Sequence, residues 1–264
     1  MDLQRTLRRS TSCAGIGLHS GKKVTLSLKP AAPNSGIRFR RTDLGGIEIP
    51  ARVSHVGAVA YATQLKSGEA RVETVEHLLA ALASAGIDNA IVELNTPEVP
   101  IMDGSSAPFI YLVQEAGVKV LSEPRRYLKV TEAIALTRGD KQITLYPSDQ
   151  FKVTYTISFD HPLLRHQTRT MVVNEDTFID EIAPARTFGF LKEVEILRQR
   201  GLALGGSLDN AIVLGETGVL NPLRFEDEFV RHKILDAIGD LALVGHPVLG
   251  HLVVHHGGHR LDHW

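Results

Sequence analysis

The stretch EFVRHKILDAIGDLALVG, residues 228–245, carries two interleaved patterns. Phe229, Ile234, Leu235, Ile238, Leu241 and Ala242 recur at helical spacing. His232, Asp236 and Asp240 follow one another at intervals of four residues. Four residues is slightly more than one helical turn, so these side chains stack along one face. A solvated face opposite an apolar stripe is the plainest account of such a helix. Solvated faces, however, usually carry Lys, Glu, Arg and Gln, and His and Asp are poorer helix formers. An imidazole and a carboxylate one turn apart also project two metal ligands side by side. A metal site needs at least one more.

Upstream, TVEHLLAAL sets His77 early in a second apolar helix, with Glu76 beside it and rotated by about 100°. The alternative is a pair of surface residues in a first helical turn, where a carboxylate is favourable. Joined to the first helix, His77, His232 and Asp236 make a set of three ligands with a fourth position left for water. That open arrangement belongs to catalytic zinc, whereas structural zinc is closed by four protein ligands. Zinc in such a site lowers the pKa of bound water to about 7 and polarises a carbonyl. Glu76, adjacent but not ligating, suits the base that takes the water's proton. Hydrolysis of an amide also needs an acid for the leaving amine. His259, in HHGGHRLDHW, follows a Gly-Gly turn from which a side chain can swing over a cleft. Asp240 could hydrogen-bond that imidazole and raise its pKa. Lys233 adds a positive charge beside His232, suited to an oxyanion or a phosphate; a solvated lysine is the alternative. His19, His55, His161, His166, His246, His251, His255, His256 and His263 lack a comparable pairing and are expected mostly on the surface or in strands.

The rest of the chain must hold these groups. It has 264 residues, a formal net charge of −1 and a hydrophobic content of 43%, enough for a substantial core without staples. Near-neutral charge argues against a general nucleic-acid binder. The single cysteine, Cys13, excludes an internal disulfide framework and a Cys-rich zinc knuckle, and fits a reducing compartment. No apolar run approaches the length of about 18 residues that a spanning helix needs, so no stable membrane insertion is expected. The segment MDLQRTLRRSTSCAG lacks the apolar core of a secretory signal. The expectation is a cytoplasmic protein with no evident obligate protein partner.

Two stretches share an order of strands, helix, glycine and strand. In the first, KKVTLSLKP and GIRFRRTD read as strands, VEHLLAALASAG as a helix stopped at Gly86, and NAIVEL as a buried strand. APFIYLVQEAG reads as a further helix ending at Gly117. SEPRRY, residues 122–127, reads as a polar linker. In the second, RYLKVTEAIAL, KQITLYP and FKVTYTISF are strands, the opening helix runs to Gly245, and GHLVVHH is a strand. In both, a histidine sits early in the helix. The pattern predicts two similar α+β domains, 1–121 and 128–264, with mainly antiparallel sheets.

Taken together, VETVEHLLAALASAGIDNAIVEL, EVPIMDGSSAPFIYL, PARTFGFLKEVEILRQRGLALGGSLDNAIVL, RHKILDAIGDLALVG and GGHRLDHW closely resemble the UDP-3-O-acyl-N-acetylglucosamine deacetylases. The likeness runs in order along nearly the whole chain. It implies a zinc amidase, with ferrous iron possible in vivo, acting on a UDP-linked acylated glucosamine at the committed step of lipid A synthesis in Gram-negative bacteria. It implies His77, His232 and Asp236 as metal ligands, Glu76 as general base and His259 as general acid. Thr187, in ARTFGF, matches the hydroxyl that polarises the substrate carbonyl, and Phe188 a residue beside the substrate. Lys233 and Asp240 match supporting groups, Lys141 a diphosphate contact and Phe159 a residue near the uracil. The resemblance further implies helices sandwiched between two sheets, with the site at the junction of the domains. Asp262 stands where the family pattern leads one to expect Asn.

The resemblance also implies an insert near residues 189–206 that forms a hydrophobic passage for the acyl chain. Leu191 and Leu202 are its candidate lining. The alternative is that this apolar segment is ordinary core. Two other functional readings stand beside the deacetylase. Two histidines and a carboxylate also hold non-haem iron in oxygenases, and a nucleotide or lipid binder could carry a structural metal.

Overall fold

The computed structural model describes residues 2–57, 61–139 and 141–256. The acid expected at His259, and Asp262, lie outside the described residues.

Ten strands form two sheets with the same connectivity. The first contains β1 (Thr11–Ile16), β2 (Lys23–Pro30), β3 (Ile37–Arg41), β4 (Ile47–Pro50) and β5 (Ala90–Leu94), in the order β1-β2-β5-β3-β4. The second contains β6 (Ile134–Arg138), β7 (Lys141–Tyr146), β8 (Phe151–Ile157), β9 (Gln167–Val172) and β10 (Val248–His255), in the order β6-β7-β10-β8-β9. In each, the last strand enters the centre, antiparallel to the second and parallel to the third. The repeat read from the sequence is therefore one topology used twice. Leu128–Lys129 adds a short parallel pairing to β10.

Period-two alternation sets the faces of these sheets. Val24, Leu26 and Leu28 of β2 are buried while Lys23 and Thr25 are exposed. Val248, Gly250, Leu252 and Val254 of β10 are buried in the same alternation. Four helices matter to the site: α1 (Glu76–Ser84), α2 (Ala107–Ala116), α3 (Leu191–Gln199) and α4 (Glu228–Leu241). α1 leads into β5, and α4 leads through a short 3-10 turn into β10. Gly86 and Gly245, at φ +70° and +82°, follow the ends of these two helices in the left-handed conformation.

α1 and α4 form the middle layer. Seven of the nine residues of α1 are buried, and eleven of the fourteen in α4. Helices covered this completely have packing partners on more than one side. One contiguous core joins Leu78 and Leu79 of α1 and Ile234 and Leu235 of α4 to Leu26 and Phe39 of the first sheet and Val153 and Tyr155 of the second. At Gly239 the backbones of the two helices come into contact. A Cβ there would lie 2.0 Å from the Glu76 carbonyl oxygen.

One boundary differs from the expectation. Residues 122–124 of the expected linker belong to the strand Val118–Pro124, which pairs antiparallel with Leu3–Leu7. None of that strand's seven residues is buried, so it lacks the alternating apolar signal by which a strand is read. No helix among the described residues is long and apolar enough to cross a membrane.

Candidate metal centre

His77 comes from the first turn of α1, and His232 and Asp236 from successive turns of α4. His77 Nε2 lies 3.5 Å and His232 Nε2 3.2 Å from Asp236 Oδ1. The two imidazoles meet edge to face, with centroids 4.8 Å apart and planes at 87°. One donor atom from each of the three residues lies within 4.8 Å of the others. All three side chains are buried, His232 at 1% exposure, so the solvated-face account of α4 fails.

Surrounding groups set the donors' chemistry. His232 Nδ1 lies 3.0 Å from the Ala185 carbonyl oxygen, which accepts its proton. That bond fixes the orientation of the ring and turns Nε2 toward Asp236. Burial opposes ionisation of Asp236. The charges of His232 and Lys233, with hydrogen bonds from both imidazoles, overcome it and hold the carboxyl well below the usual carboxylate range. Lys233 Nζ donates to Asp236 Oδ2 at 2.8 Å, and its side chain is only 20% exposed, unlike a freely solvated lysine. Two imidazole nitrogens and an ionised carboxylate converging in a buried site fit a divalent metal ion.

The loop carrying Ala185 is anchored on both sides. The Ala183 carbonyl accepts from the backbone N–H groups of Ser106 and Ala107 at the start of α2. Arg186 forms a buried pair with Glu228 at the start of α4, its Nε 2.9 Å from Oε1. Ser106 Oγ in turn donates to the His77 carbonyl at 2.7 Å. Three helices thereby fix one another around the histidines.

Glu76 and Asp240 are also buried. Glu76 Oε2 accepts from the Thr63 backbone N–H at 3.1 Å, and Thr63 Oγ1 donates to Asp240 Oδ1 at 2.6 Å. Thr63 is fully buried and joins the two carboxylates. Nothing in the sequence singles it out, because an isolated threonine in YATQL follows no period or motif.

The aromatic candidates gather beside the histidines. The Phe188 ring lies 6.4 Å from His232, 5.0 Å from Phe229 and 6.1 Å from Phe159, centroid to centroid. Phe188 opens a short strand, Phe188–Phe190, paired in parallel with Ile212–Leu214. Thr187, immediately before it, is held through its backbone. Its N–H donates to the Gly104 carbonyl and its carbonyl accepts from Ile212, both at 2.8 Å. Lys141 starts β7, beside the ends of β10 and β8, and so emerges at the same sheet end as Phe159. It is exposed, and no described contact joins it to the histidines. His19 and His161, expected on the surface or in strands, are instead buried in turns.

Leu191 opens the surface helix α3, and Leu202 follows its end. Leu191 is 39% exposed, Leu202 is half-buried, and no residue of α3 is buried. The plain-core account of this helix therefore fails. Its return segment docks on the turn after β1, where Leu204 N–H donates to His19 O and Gly205 N–H to Leu18 O. Gly205 is required there, since a Cβ would lie 2.2 Å from the Gly17 carbonyl oxygen.

Two sheets of one topology, enclosing paired helices whose contact buries two imidazoles and a carboxylate, define an α+β protein with a buried candidate metal centre. The profile of the UDP-3-O-acyl N-acetylglycosamine deacetylase family matches residues 4–264. The chain belongs to this family, and is thus an enzyme of the deacetylase class. It is 53% identical to the UDP-3-O-acyl-N-acetylglucosamine deacetylase of Myxococcus xanthus (strain DK1622), over 98% of this chain and 84% of that one. It is 51% identical to the enzymes of the same name from Pseudomonas entomophila (strain L48) and Neisseria meningitidis serogroup A, in each case over 98% of this chain and 87% of the other.

Proposed function

We propose that the protein hydrolyses the acetamide of UDP-3-O-acyl-N-acetylglucosamine to acetate and UDP-3-O-acyl-glucosamine, the committed step of lipid A synthesis, in the cytoplasm. The observation that carries this reading is the buried convergence of His77, His232 and Asp236 with Glu76 alongside. The names of the relatives supply the substrate.

The three ligands would hold one zinc ion, or ferrous iron in vivo, which when bound supplies Lewis acidity to a carbonyl and to water. Glu76 takes a proton from the attacking water as its oxygen bonds to the acetyl carbon. The Thr187 hydroxyl donates to the carbonyl oxygen, and Lys233 adds positive charge as that oxygen becomes anionic. His259 gives a proton to the leaving nitrogen as the C–N bond breaks, and Asp240 orients and charges that imidazole. Lys141 binds the diphosphate, Phe159 lies near the uracil and Phe188 flanks the sugar. Leu191 and Leu202 line the acyl passage. In this reading residues 1–121 and 128–264 are two domains, with the substrate bound at their junction.

The test is a metal determination beside an acetate-release assay on Glu76→Ala. Retained metal with a rate lowered by about 10²-fold or more is the expected result for a general base. An unchanged kcat would remove Glu76 from that role. His259→Gln should flatten mainly the descending limb of the pH–rate profile; a profile like that of the parent enzyme would remove the acid.

A further inference from the structure

A cavity of about 520 Å³ opens beside the C-terminal turns of α1 and α4 and shares none of the metal-centre residues. Its volume is in the range of sites for small molecules, about 300–1,000 Å³. The floor is apolar, formed by Leu79 and Leu82 of α1 and Ile238 and Leu241 of α4. Three arginines stand on its walls: Arg5, Arg52 and Arg125. Two of them converge. A Cβ on Gly86 would lie 3.3 Å from Arg5 Nη1 and 3.5 Å from Arg125 Nη1.

The carboxylates of the lining leave these cations incompletely matched. Asp88 is engaged by Arg125 Nε and by the Arg5 backbone N–H, each at 2.8 Å. Asp149 pairs with Lys129 at 2.8 Å. Glu175 remains, exposed on the rim. Among the described residues the Arg5 guanidinium makes no hydrogen bond and no salt bridge, and Arg52 reaches only the Val244 carbonyl, at 3.3 Å. Guanidinium forks are matched to carboxylate and phosphate oxygens. An apolar floor beneath them suits an attached hydrocarbon.

We propose that this cavity binds a small amphiphile, its anionic carboxylate or phosphate head on Arg5 and Arg125 and its apolar body over Leu79, Leu82 and Ile238. The ligand contacts elements of both sheets' halves, since the lining includes Ile37 of β3 and Val248 of β10. The inference is independent of the deacetylase reading, because no residue of that site takes part.

The test is calorimetric titration of the whole protein with octyl phosphate and with octanoate, below their micellar concentrations. One site per chain is expected for both, strengthening about fourfold per added methylene that the floor can cover. Octyltrimethylammonium should bind at least about tenfold more weakly. Arg5→Ala should weaken both anions about tenfold or more, and Ala83→Trp should fill the cavity and abolish binding. Leu202→Asp, at the separate acyl passage, should leave affinity unchanged. Acetate release should be normal in Arg5→Ala. Should Ala83→Trp not fold, Arg5→Ala decides. Equal anion affinity in Arg5→Ala and the parent protein overturns the proposal, as does equal affinity for the cationic amphiphile. Binding lost in Leu202→Asp and kept in Arg5→Ala would place the amphiphile in the acyl passage and equally overturn it.

Discussion

Thr63 joins Glu76 through its backbone and Asp240 through its hydroxyl, from a loop that neither helix contributes. Thr63→Val keeps the backbone donor and the shape but leaves a buried carboxylate oxygen short of a charge-assisted hydrogen bond. The expected result is a kcat lowered about tenfold or more, with metal content and KM retained and activity restored in Thr63→Ser. Equal kcat in Thr63→Val and the parent enzyme would make the contact incidental. His77, His232 and Asp236 were legible because helical spacing alone aligns His232 with Asp236, and His77 leads the matching helix. Thr63 was not, because its partners are 13 and 177 residues away and only the packed fold brings them together. Cys13 gives a separate residue-scale expectation. Burial pushes its thiol up to about 11, so the thiolate is scarce near neutral pH. Alkylation by iodoacetamide should be slow at pH 8 and climb steadily toward pH 11. A plateau near pH 8.5 would contradict this.

The helix pair depends on one missing side chain. Gly239→Ala would set a Cβ 2.0 Å from the Glu76 carbonyl oxygen, and backbone cannot yield as a flexible side chain can. Forcing the helices apart should cost about 1–3 kcal/mol or more, read as a lower urea midpoint, and weaken metal retention by separating His77 from Asp236. An unchanged midpoint would show that the contact relaxes freely. In the first sheet, Arg40 of β3 meets Glu48 of β4 and Glu93 of β5 across paired register positions. Hydrogen bonding by Arg40 holds Glu48 below the usual range against partial burial, and Lys29, with Arg40, does the same for Glu93. A depressed folded pKa stabilises above the unfolded value, and the gain disappears as pH falls through the folded one. The stability lost in Arg40→Ala, about 1 kcal/mol or less for such partly exposed pairs, should thus be larger at pH 6 than at pH 3. A gap that widens toward pH 3 would reverse the assignment. Elements with one buried face, such as β2 and β10, were readable from alternation. The exposed strand Val118–Pro124 was not, because its stability comes from pairing with Leu3–Leu7 rather than from a buried pattern.

At the scale of the molecule, the same β-sheet topology occurs twice, and its two helices meet face to face. The sequence showed the order of elements in each half. The central insertion of β5 and β10 lay beyond it, because strand order is set by long-range pairing. The segment following α3 bridges to the turn after β1, so a substrate lying along it would touch residues from both halves. Its exposed Leu191, Ile196 and Leu204 are available to an acyl chain rather than spent in the core. If they line the passage, kcat/KM should rise steeply with 3-O-acyl length, by up to about fourfold per buried methylene, and polar substitution at Leu202 should flatten the rise. Equal values for acylated and unacylated substrates would remove the passage. The central claim is that this protein is a metal-dependent deacetylase whose ion is held between α1 and α4. It is tested most directly by measuring acetate release from UDP-3-O-acyl-N-acetylglucosamine alongside bound metal, for the parent protein and for His232→Ala, after chelation and again after zinc is restored. The account predicts one ion per chain and recovered turnover in the parent, with neither in folded His232→Ala. Full turnover by the chelated parent, or by a metal-free His232→Ala, would contradict it.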